Sequence, residues 1–560
     1  MPPLERRSSL AQACLGVRPS RDVPRMSEEI EVTESEELIE SVRSEIQDYV
    51  QEQKHRRYLF PRAALVGFFA GALGVFFRGL LVYGSNFRTN LVVWCHQHGP
   101  ATYALPILFG CAGATFAVWL TNTFAPEAAG SGIPHIEAVL HRLRPFRWVR
   151  VLIVKFIGGM TAISGGMALG REGPTVQMGG AVGAGVAQWL KLGVQDRMTL
   201  IAAGSGAGLA AAFNAPLAGL IFVLEEVQKD FRQAIFGSAF IAAAVADIVT
   251  RSVAGQVPVF SAPKYPVPPL TSLPIFAILG VLAGLLGVVY NSSLIRALDI
   301  VKKVPKKYIL LLAAGVGALV GLAALIDPIS AGDGHALAET VLLAKPLLAT
   351  IPLWFAVRLL MSIGSYAVGP PGGIFAPLLA LGSLIGLFVG DISNHFMPAL
   401  APNPGVFAVV GMAAYFAAIV RAPLTGIVLI IEMTGTYAQM LALIVSCFMA
   451  YLVAEGFKSM PIYEHLLERD LTQGKPVESL EHNRVFEFEV QAESKFSGKL
   501  IKDLGLPPGC IIVSCRNGAR EWVPTATTRL EPHTKITAIV GSDSDGALDA
   551  LRDGCHAHRE

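Results

Sequence analysis

The sequence predicts an all-α polytopic membrane protein with inverted repeats and broken helices, followed by a small cytosolic α+β domain. The composition, the apolar stretches and an internal duplication support this fold class. Of the 560 residues, 52% are hydrophobic and 16% are charged, whereas soluble globular chains carry about 25% charged residues. So few charges cannot cover a water-facing surface, which excludes a soluble enzyme, a nucleic-acid-binding protein and a disordered scaffold.

The first 60 residues form a polar, cytosolic segment that contains no apolar run long enough for a signal peptide. Thr33 and Glu36 have capping-box spacing, and apolar residues follow them at helical spacing. We therefore expect an amphipathic helix that starts there and packs on the main body. Met1 and Met26 are both candidate start residues.

Residues 61–465 are predicted to form the membrane domain. Its apolar stretches are 63–88, 101–122, 150–168, 197–224, 236–250, 273–295, 308–326, 350–368, 377–396, 405–432 and 437–454. Many of them approach the roughly 20 residues that span a bilayer. Several are shorter or are interrupted by Gly and Pro. Irregular backbone at membrane depth is tolerated only where protein buries it or where it lines a wet cavity. The interruptions therefore indicate where irregular backbone is buried by protein or lines a wet cavity.

Clusters of basic residues predict the orientation of the domain. They precede the first span and fill two loops: Lys54, Arg56, Arg57 and Arg62; Arg142, Arg144, Arg147 and Arg150; Lys302, Lys303, Lys306 and Lys307. By the positive-inside rule these clusters face the cytoplasm. We expect a multi-pass protein of the plasma membrane (the inner membrane of a bacterial cell) with both termini cytoplasmic.

The membrane domain contains an internal repeat, with halves at about 62–255 and 270–455. Residues 204–225 read GSGAGLAAAFNAPLAGLIFVLE, and residues 411–432 read GMAAYFAAIVRAPLTGIVLIIE. Two related halves with broken helices are what secondary transporters use to build a midplane site. The Gly-x-Gly-x-Gly of residues 204–208 imitates a dinucleotide fingerprint, but it follows no strand, so close helix packing explains it better.

Three signatures rich in Gly and Pro carry the chemistry: Gly130-Ser131-Gly132-Ile133-Pro134, Gly170-Arg171-Glu172-Gly173-Pro174 and Gly372-Gly373-Ile374-Phe375-Ala376-Pro377. Each places backbone N–H groups at the start of a predicted helix. Such a helix end carries about half a positive charge and binds anions without a full cation. A site of this kind can attract chloride and still release it.

In their order and spacing, these signatures resemble those of the CLC family of chloride channels and chloride/proton antiporters, over about residues 62–465. The resemblance implies a homodimer with one anion pathway per subunit. It assigns anion contacts to the Ser131 hydroxyl and to Gly132 and Ile133 of the same signature. It also assigns anion contacts to the backbone N–H groups of Ile374 and Phe375. Tyr463 matches the family's inner-gate tyrosine.

The resemblance also assigns two acidic residues. Glu172 matches the gating glutamate, whose carboxylate occupies an anion site until protonation releases it, and Glu226 matches the internal proton-transfer glutamate. Alternatives remain open: Glu226 as a solvated acid at a helix end, Ser131 as a helix cap and Tyr463 as an interface anchor. Glu225 and Glu432 occupy equivalent repeat positions, so we assign them to structural pairing or capping.

After a linker at 466–484, residues 485–545 form a soluble module and residues 546–560 a tail. Strands are expected at VFEFEV, CIIVSC and KITAIVG, with a short helix at 498–504. The module is similar to the RCK-C (TrkA-C) domains of potassium-transport regulators. The resemblance implies dimerisation. It also leaves open whether residues 485–541 bind a small ligand such as a cyclic dinucleotide or another small nucleotide. The seven cysteines form no C-x-x-C, so neither a disulfide framework nor a zinc site is expected, and Cys555 is placed in a frayed terminus.

The leading functional prediction is secondary active chloride/proton antiport across the membrane, with chloride and protons as substrates and without a cofactor. The alternative is a passive, gated chloride channel on the same fold, against which Glu226 argues. An intramembrane enzyme is disfavoured, because no H-E-x-x-H motif, no G-x-S-x-G with a plausible partner and no metal cluster occurs. A ligand sensor with a secondary membrane part is disfavoured by the complete pore motifs.

Overall fold

A computed structural model describes residues 26–229, 233–256, 258–260, 263, 265–343, 347–473, 484–507, 510–517, 520–540 and 546–555. It describes the backbone alone for 26–56, 233–234, 484–485, 520–521 and 547. Two units can be distinguished by their internal packing. One comprises His55–Lys475, and the other comprises the chain segments before and after it.

The first half of the membrane unit is helical throughout. Its helices are α1 (Met26–His98), α2 (Ala104–Phe124), α3 (Ile133–Leu140), α4 (Trp148–Ser164), α5 (Glu172–Trp189), α6 (Val194–Phe213), α7 (Pro216–Phe222) and α8 (Gln233–Ala254). Helix α1 already begins at Met26, so the predicted helix start at Thr33 is wrong. The predicted packing of this segment involves side chains outside the described residues.

The second half repeats this arrangement. Its helices are α9 (Leu273–Lys302), α10 (Ile309–Ile326), α11 (His335–Leu343), α12 (Ile351–Ala367), α13 (Phe375–Phe396), α14 (Pro404–Val420), α15 (Pro423–Thr434), α16 (Met440–Gly456) and α17 (Ile462–Gln473). Among the described helices, seven are long and apolar enough to cross a membrane, and α14, α15 and α16 are shorter apolar helices.

The repeat is visible in the backbone itself. The apolar stretches 197–224 and 405–432 each break into two helices, and Asn214 and Arg421 cap the first of each pair in the left-handed conformation, with φ of 51° and 71°. Pro216 and Pro423 then begin the second helix of each pair, where a missing N–H costs no helical hydrogen bond.

Glycine allows the paired helices of each half to approach closely. Gly179 of α5 faces Gly204 of α6 so closely that a Cβ on either residue would collide with the backbone of the other, and Gly382 of α13 meets Gly411 of α14 in the same way. Small residues at helix contacts are what membrane interiors require for tight packing. Gly206 and Gly208 also lie against neighbouring backbone, which supports the packing interpretation of this glycine run.

The C-terminal unit contains β1 (Arg484–Glu489), β2 (Cys510–Asn517), β3 (Arg520–Trp522), β4 (Lys535–Val540) and α18 (Ala547–Cys555). The antiparallel sheet has the order β1-β4-β2-β3. The three predicted strands are present, and the sequence pattern missed β3. The predicted short helix is a single 3₁₀ turn at Ile501–Asp503.

Two boundaries differ from the sequence prediction. Helix α17 continues to Gln473, so the first part of the predicted linker is helical. Helix α18 lies in the predicted tail, and its last residue, Cys555, is buried in the core of the C-terminal unit. The prediction of a frayed terminus is therefore wrong for the residues up to Cys555. Burial raises the pKa of the Cys515 and Cys555 thiols to about 11, and both thiols are neutral at physiological pH.

Candidate functional site

The three signature loops meet through backbone hydrogen bonds between the two halves of the membrane unit. Gly170 and Gly373 exchange two N–H···O bonds of 2.7 Å. Gly130 donates to the Pro370 carbonyl at 3.1 Å and accepts from the N–H of Gly372 at 2.9 Å. The starts of α3, α5 and α13, which lie far apart in the sequence, are therefore adjacent in space. Several helix N-termini converge on one region, as an anion site requires.

Ser131 lies buried in the first loop, just before α3. Its hydroxyl oxygen accepts a hydrogen bond from the Ile133 N–H at 3.2 Å, which is a local capping contact. A hydroxyl that accepts one bond still has a proton to donate, so capping and anion binding are compatible. Gly132 has a φ of +82°, and a Cβ there would collide with Gln177; this position needs glycine.

Two residues that the motifs did not identify support this loop. Tyr366 of α12 accepts a hydrogen bond from the Ser131 N–H at 3.3 Å. Lys155 of α4 is fully buried and donates to the Ala128 and Gly130 carbonyls at 3.0 and 2.7 Å. A single lysine within the apolar stretch 150–168 was the available signal for Lys155, because ionisable residues inside membranes are costly and usually functional.

Glu172 is the first residue of α5, and its side chain is 1% exposed. Its carboxylate reaches α13 and accepts a hydrogen bond from the backbone N–H of Ala376 at 3.4 Å. Ala376 is the second residue of that helix, where the backbone N–H groups have no acceptor within the helix. A side-chain anion therefore occupies a position at the start of α13 that suits a free anion.

Ile374 and Phe375 form the N-cap and first residue of α13, and both are completely buried. The Phe375 ring lies in an aromatic group with Phe222, Phe416 and Tyr463, with ring centroids 5.6, 4.7 and 6.3 Å away. Tyr463 is fully buried, and its hydroxyl has no hydrogen-bond partner among the described residues. A tyrosine that anchors a protein at the membrane–water interface keeps its hydroxyl in water, so the burial of Tyr463 argues against that alternative.

Glu226 and Glu225 differ sharply despite being neighbours in a π-helical turn, Val223–Val227. Glu226 is 3% exposed, and one of its carboxylate oxygens lacks a partner among the described residues; a solvated helix-end acid is therefore wrong. Glu225 accepts from the N–H groups of Leu424 and Thr425 at 3.1 and 2.7 Å.

Glu432 mirrors Glu225 in the other half of the repeat. It accepts from the N–H groups of Leu217 and Ala218 at 3.1 and 2.8 Å. Each glutamate therefore caps the first turn of the short helix of the opposite half, which confirms the predicted capping role.

Lys229, Glu137 and Glu464 form a charged group near Glu226. Glu137 of α3 is 2% exposed, and the Lys229 ammonium lies 3.9 Å from its carboxylate. Lys229 also forms an ion pair with Glu464, the residue after Tyr463. This charged group links α3, the π-helical turn and α17 on the side of the basic loop 142–150.

Comparison with known proteins gives consistent matches. The family profile "Voltage gated chloride channel" matches residues 113–455, and the TrkA-C domain profile matches residues 485–551. The chain is 41% identical over 458 residues to the H(+)/Cl(−) exchange transporter ClcA of Vibrio parahaemolyticus, covering 79% of this chain and 97% of that protein. Its identity to ClcA of Salmonella paratyphi A is 39% over 438 residues, with 77% and 92% coverage.

Solved structures give the same result. A slow cyanobacterial Cl⁻/H⁺ antiporter superposes with a TM-score of 0.72 at 35% identity, covering 74% of this chain and 98% of that one. A CLC-type fluoride/proton antiporter, at a TM-score of 0.62 and 22% identity, shares the fold over 73% and 97% of the two chains. The converging signature loops, the duplicated helices and these matches together show that the chain belongs to the CLC, or voltage gated chloride channel, family.

Proposed function

We propose that this protein is a transporter that exchanges chloride for protons across the cell membrane. The observation that carries the proposal is the Glu172 carboxylate, which accepts a hydrogen bond from the first turn of α13 at the meeting point of three signature loops. The similar ClcA proteins and the cyanobacterial antiporter are chloride/proton exchangers by name, which supports the same activity for this chain.

In the proposed mechanism, chloride binds where the helix N-termini converge. Ser131 and Tyr463 donate hydroxyl hydrogen bonds, and Gly132, Ile133, Ile374 and Phe375 contribute backbone groups. No full cation need contact the ion, because oriented N–H dipoles provide the attraction. Binding of this kind stays weak enough for release.

Glu172 competes with chloride for the start of α13. As a carboxylate it accepts the Ala376 N–H; once protonated it loses its charge and most of its attraction to that helix end. Chloride can then take its place while the neutral side chain carries the proton. Exchange follows because one position accommodates either the carboxylate or the anion.

Glu226 supplies protons from the inner side. Its burial and its carboxylate oxygen without a partner among the described residues distinguish it from the capping Glu225. A passive channel on this fold would not need such a residue, and this observation favours the antiporter over the channel.

The test is simultaneous measurement of chloride and proton movement in proteoliposomes loaded with chloride. The antiporter drives protons uphill when a chloride gradient is imposed, and Glu226→Gln should abolish proton movement while chloride still moves. The matched control is Glu468→Gln, an exposed acid on α17. A chloride reversal potential that ignores a pH gradient would select the channel instead.

The homodimer with one pathway per subunit, the cytoplasmic termini and a small ligand of residues 485–541 belong to the same proposal. The basic loops at 142–150 and 302–307 support the orientation through the positive-inside rule. The TrkA-C match supports a dimeric, ligand-sensing module. Crosslinking of the protein in native membranes, with flux measured before and after, tests the dimer.

A further inference from the structure

A small cavity borders Glu172 and contains titratable side chains that the mechanism above does not use. Four of its lining residues carry charge or can take up a proton: Arg171, Glu172, Asp333 and His335. The remaining lining residues are apolar or glycine, and the space suits about one water molecule. A proton that enters the cavity thus meets few groups before it reaches Glu172.

The cavity lies on the outer side of the membrane by the charge rule. The apolar span Lys306–Ile326 begins at the basic cluster 302–307 and is long enough to cross the bilayer. Asp333 and His335 follow soon after the end of that span. Because the basic cluster faces the cytoplasm, these residues face the opposite compartment.

The local structure fixes the His335 ring in place. The Asp333 carboxylate accepts the backbone N–H of His335 at 3.0 Å, and the imidazole stacks on Phe260 with a centroid distance of 4.8 Å and an interplanar angle of 17°. Gly334 between them has a φ of +95°, and a Cβ there would collide with the buried Arg358. The loop is therefore held on both sides of the histidine.

His335 and Glu172 differ in their access to water. His335 is half-buried, whereas Glu172 is 1% exposed. The charged groups that face the imidazole are Asp333 and Arg171 in the cavity, Glu339 on the same helix and Arg78 of α1. Histidine ordinarily changes its charge near neutral pH, whereas an arginine stays charged.

We propose that His335, held by Asp333 and Phe260, relays protons between the outer solution and Glu172. The protonated imidazole donates its N–H proton through the cavity to the Glu172 carboxylate, which becomes neutral, and the neutral imidazole takes another proton from outside. Outward release follows the same path in reverse. This inference rests on the proposed proton-coupled function.

The experiment measures proton-coupled chloride exchange as a function of outer pH for the wild type, His335→Gln and the control Glu468→Gln. Glu468 is an exposed acid on α17 and does not line the cavity. We expect proton flux in His335→Gln to fall about a hundredfold, at the lower end of the range for removal of a general acid, and its dependence on outer pH between about 5 and 6.5 to disappear. Glu468→Gln should behave as the wild type does.

A second variant, His335→Asn, and thermal melts of all proteins separate loss of relay from loss of fold. A folded His335→Asn protein with slow proton flux and a flat pH profile supports the relay. Normal proton flux with an unchanged pH profile in either histidine variant overturns it while leaving the antiporter intact. A wild type that moves no protons overturns the antiporter and the relay together.

Discussion

At the scale of one residue, we propose that the Glu172 side chain takes the place of the transported ion. Its carboxylate lies at the start of α13, where the Ala376 N–H would otherwise face a free anion. The neighbouring Gly170 and Gly373 exchange backbone hydrogen bonds, so the loops that present these groups hold each other in place. In the proposed mechanism, the charge on this carboxylate decides whether the position is open.

We expect Glu172→Gln to keep chloride flux and to reduce proton transport to the background level. Glutamine has the size of a protonated glutamate but neither the charge nor a proton to exchange. Chloride efflux and proton uptake measured in the same proteoliposomes check this, with Glu468→Gln as the control. Proton coupling at the wild-type ratio in the purified variant would contradict the assignment.

Ser131→Pro should shift the preference of the site from chloride towards nitrate. The substitution removes the hydroxyl donor and also the N–H that Tyr366 accepts. A compact, strongly hydrated ion loses more from a missing donor than a larger, weakly hydrated one. Relative fluxes of the two anions measure the shift.

Ser383→Ala provides the control for Ser131→Pro, because that buried hydroxyl donates only to the Ala380 carbonyl of its own helix among the described residues. Its selectivity should match the wild type. Unchanged selectivity in Ser131→Pro would restrict Ser131 to the local contact with Ile133.

At the scale of elements, the two halves of the repeat cap each other. Glu225 accepts hydrogen bonds at the start of α15, and Glu432 accepts them at the start of α7. Both short helices follow left-handed residues and begin with proline, so their first N–H groups need acceptors from elsewhere. The duplicated sequence provides one acceptor for each helix.

Glu432→Gln should lower the free energy of unfolding by about 1 kcal/mol, the typical cost of losing a helix cap. The amide retains one acceptor but loses the charge that favours the positive helix end. Thermal unfolding in detergent compares this variant with the wild type and with Glu468→Gln. Equal melting temperatures for all three proteins would show that the cap adds nothing to stability.

Helix α17 is tied to the membrane unit by ion pairs at different points along its length. Arg144 pairs with Asp470, Arg469 with Asp299, and Lys229 with Glu464. Exposed pairs contribute little individually, about 0–1 kcal/mol. Together the pairs fix the orientation of α17, whose second residue is Tyr463, the residue that we propose to contact the anion.

At the scale of the whole molecule, the chain separates into a membrane unit, His55–Lys475, and a second unit with its own small core. Truncation after Lys475 preserves all of α17 and its ion pairs. We expect the truncated protein to remain folded and to transport chloride, with altered regulation. A ligand can regulate only if it binds the conformations of the module differently.

Calorimetry and flux assays of full-length and truncated protein, with nucleotides and cyclic dinucleotides as probes, measure this regulation. Binding and a change of rate in the full-length protein alone would support sensing by residues 485–541. If no probe binds and the truncation alters neither rate nor response, the module is structural.

The sequence by itself determined the local features of this protein. Apolar length specified the spans, Gly and Pro marked the breaks, and the matched Ala-Pro-Leu segments revealed the duplication, because these depend on residues close together in the chain. Alternation of apolar residues predicted three of the four strands. The N-terminal helix start and the end of the C-terminal unit were misplaced, because helix caps and amphipathic ends give weak signals that packing overrides.

Only the tertiary structure decided which distant residues meet. It joined Gly130 to Gly372 and Gly170 to Gly373 through backbone hydrogen bonds. It buried Glu226, while the neighbouring Glu225 caps a helix of the other half. It brought Lys155 and Tyr366 to the Ser131 loop. It also placed His335 and Glu172 on the wall of one cavity. Composition and periodicity describe one helix at a time, whereas these contacts depend on how helices pack across the repeat, and the burial of a charge is a property of all the elements around it.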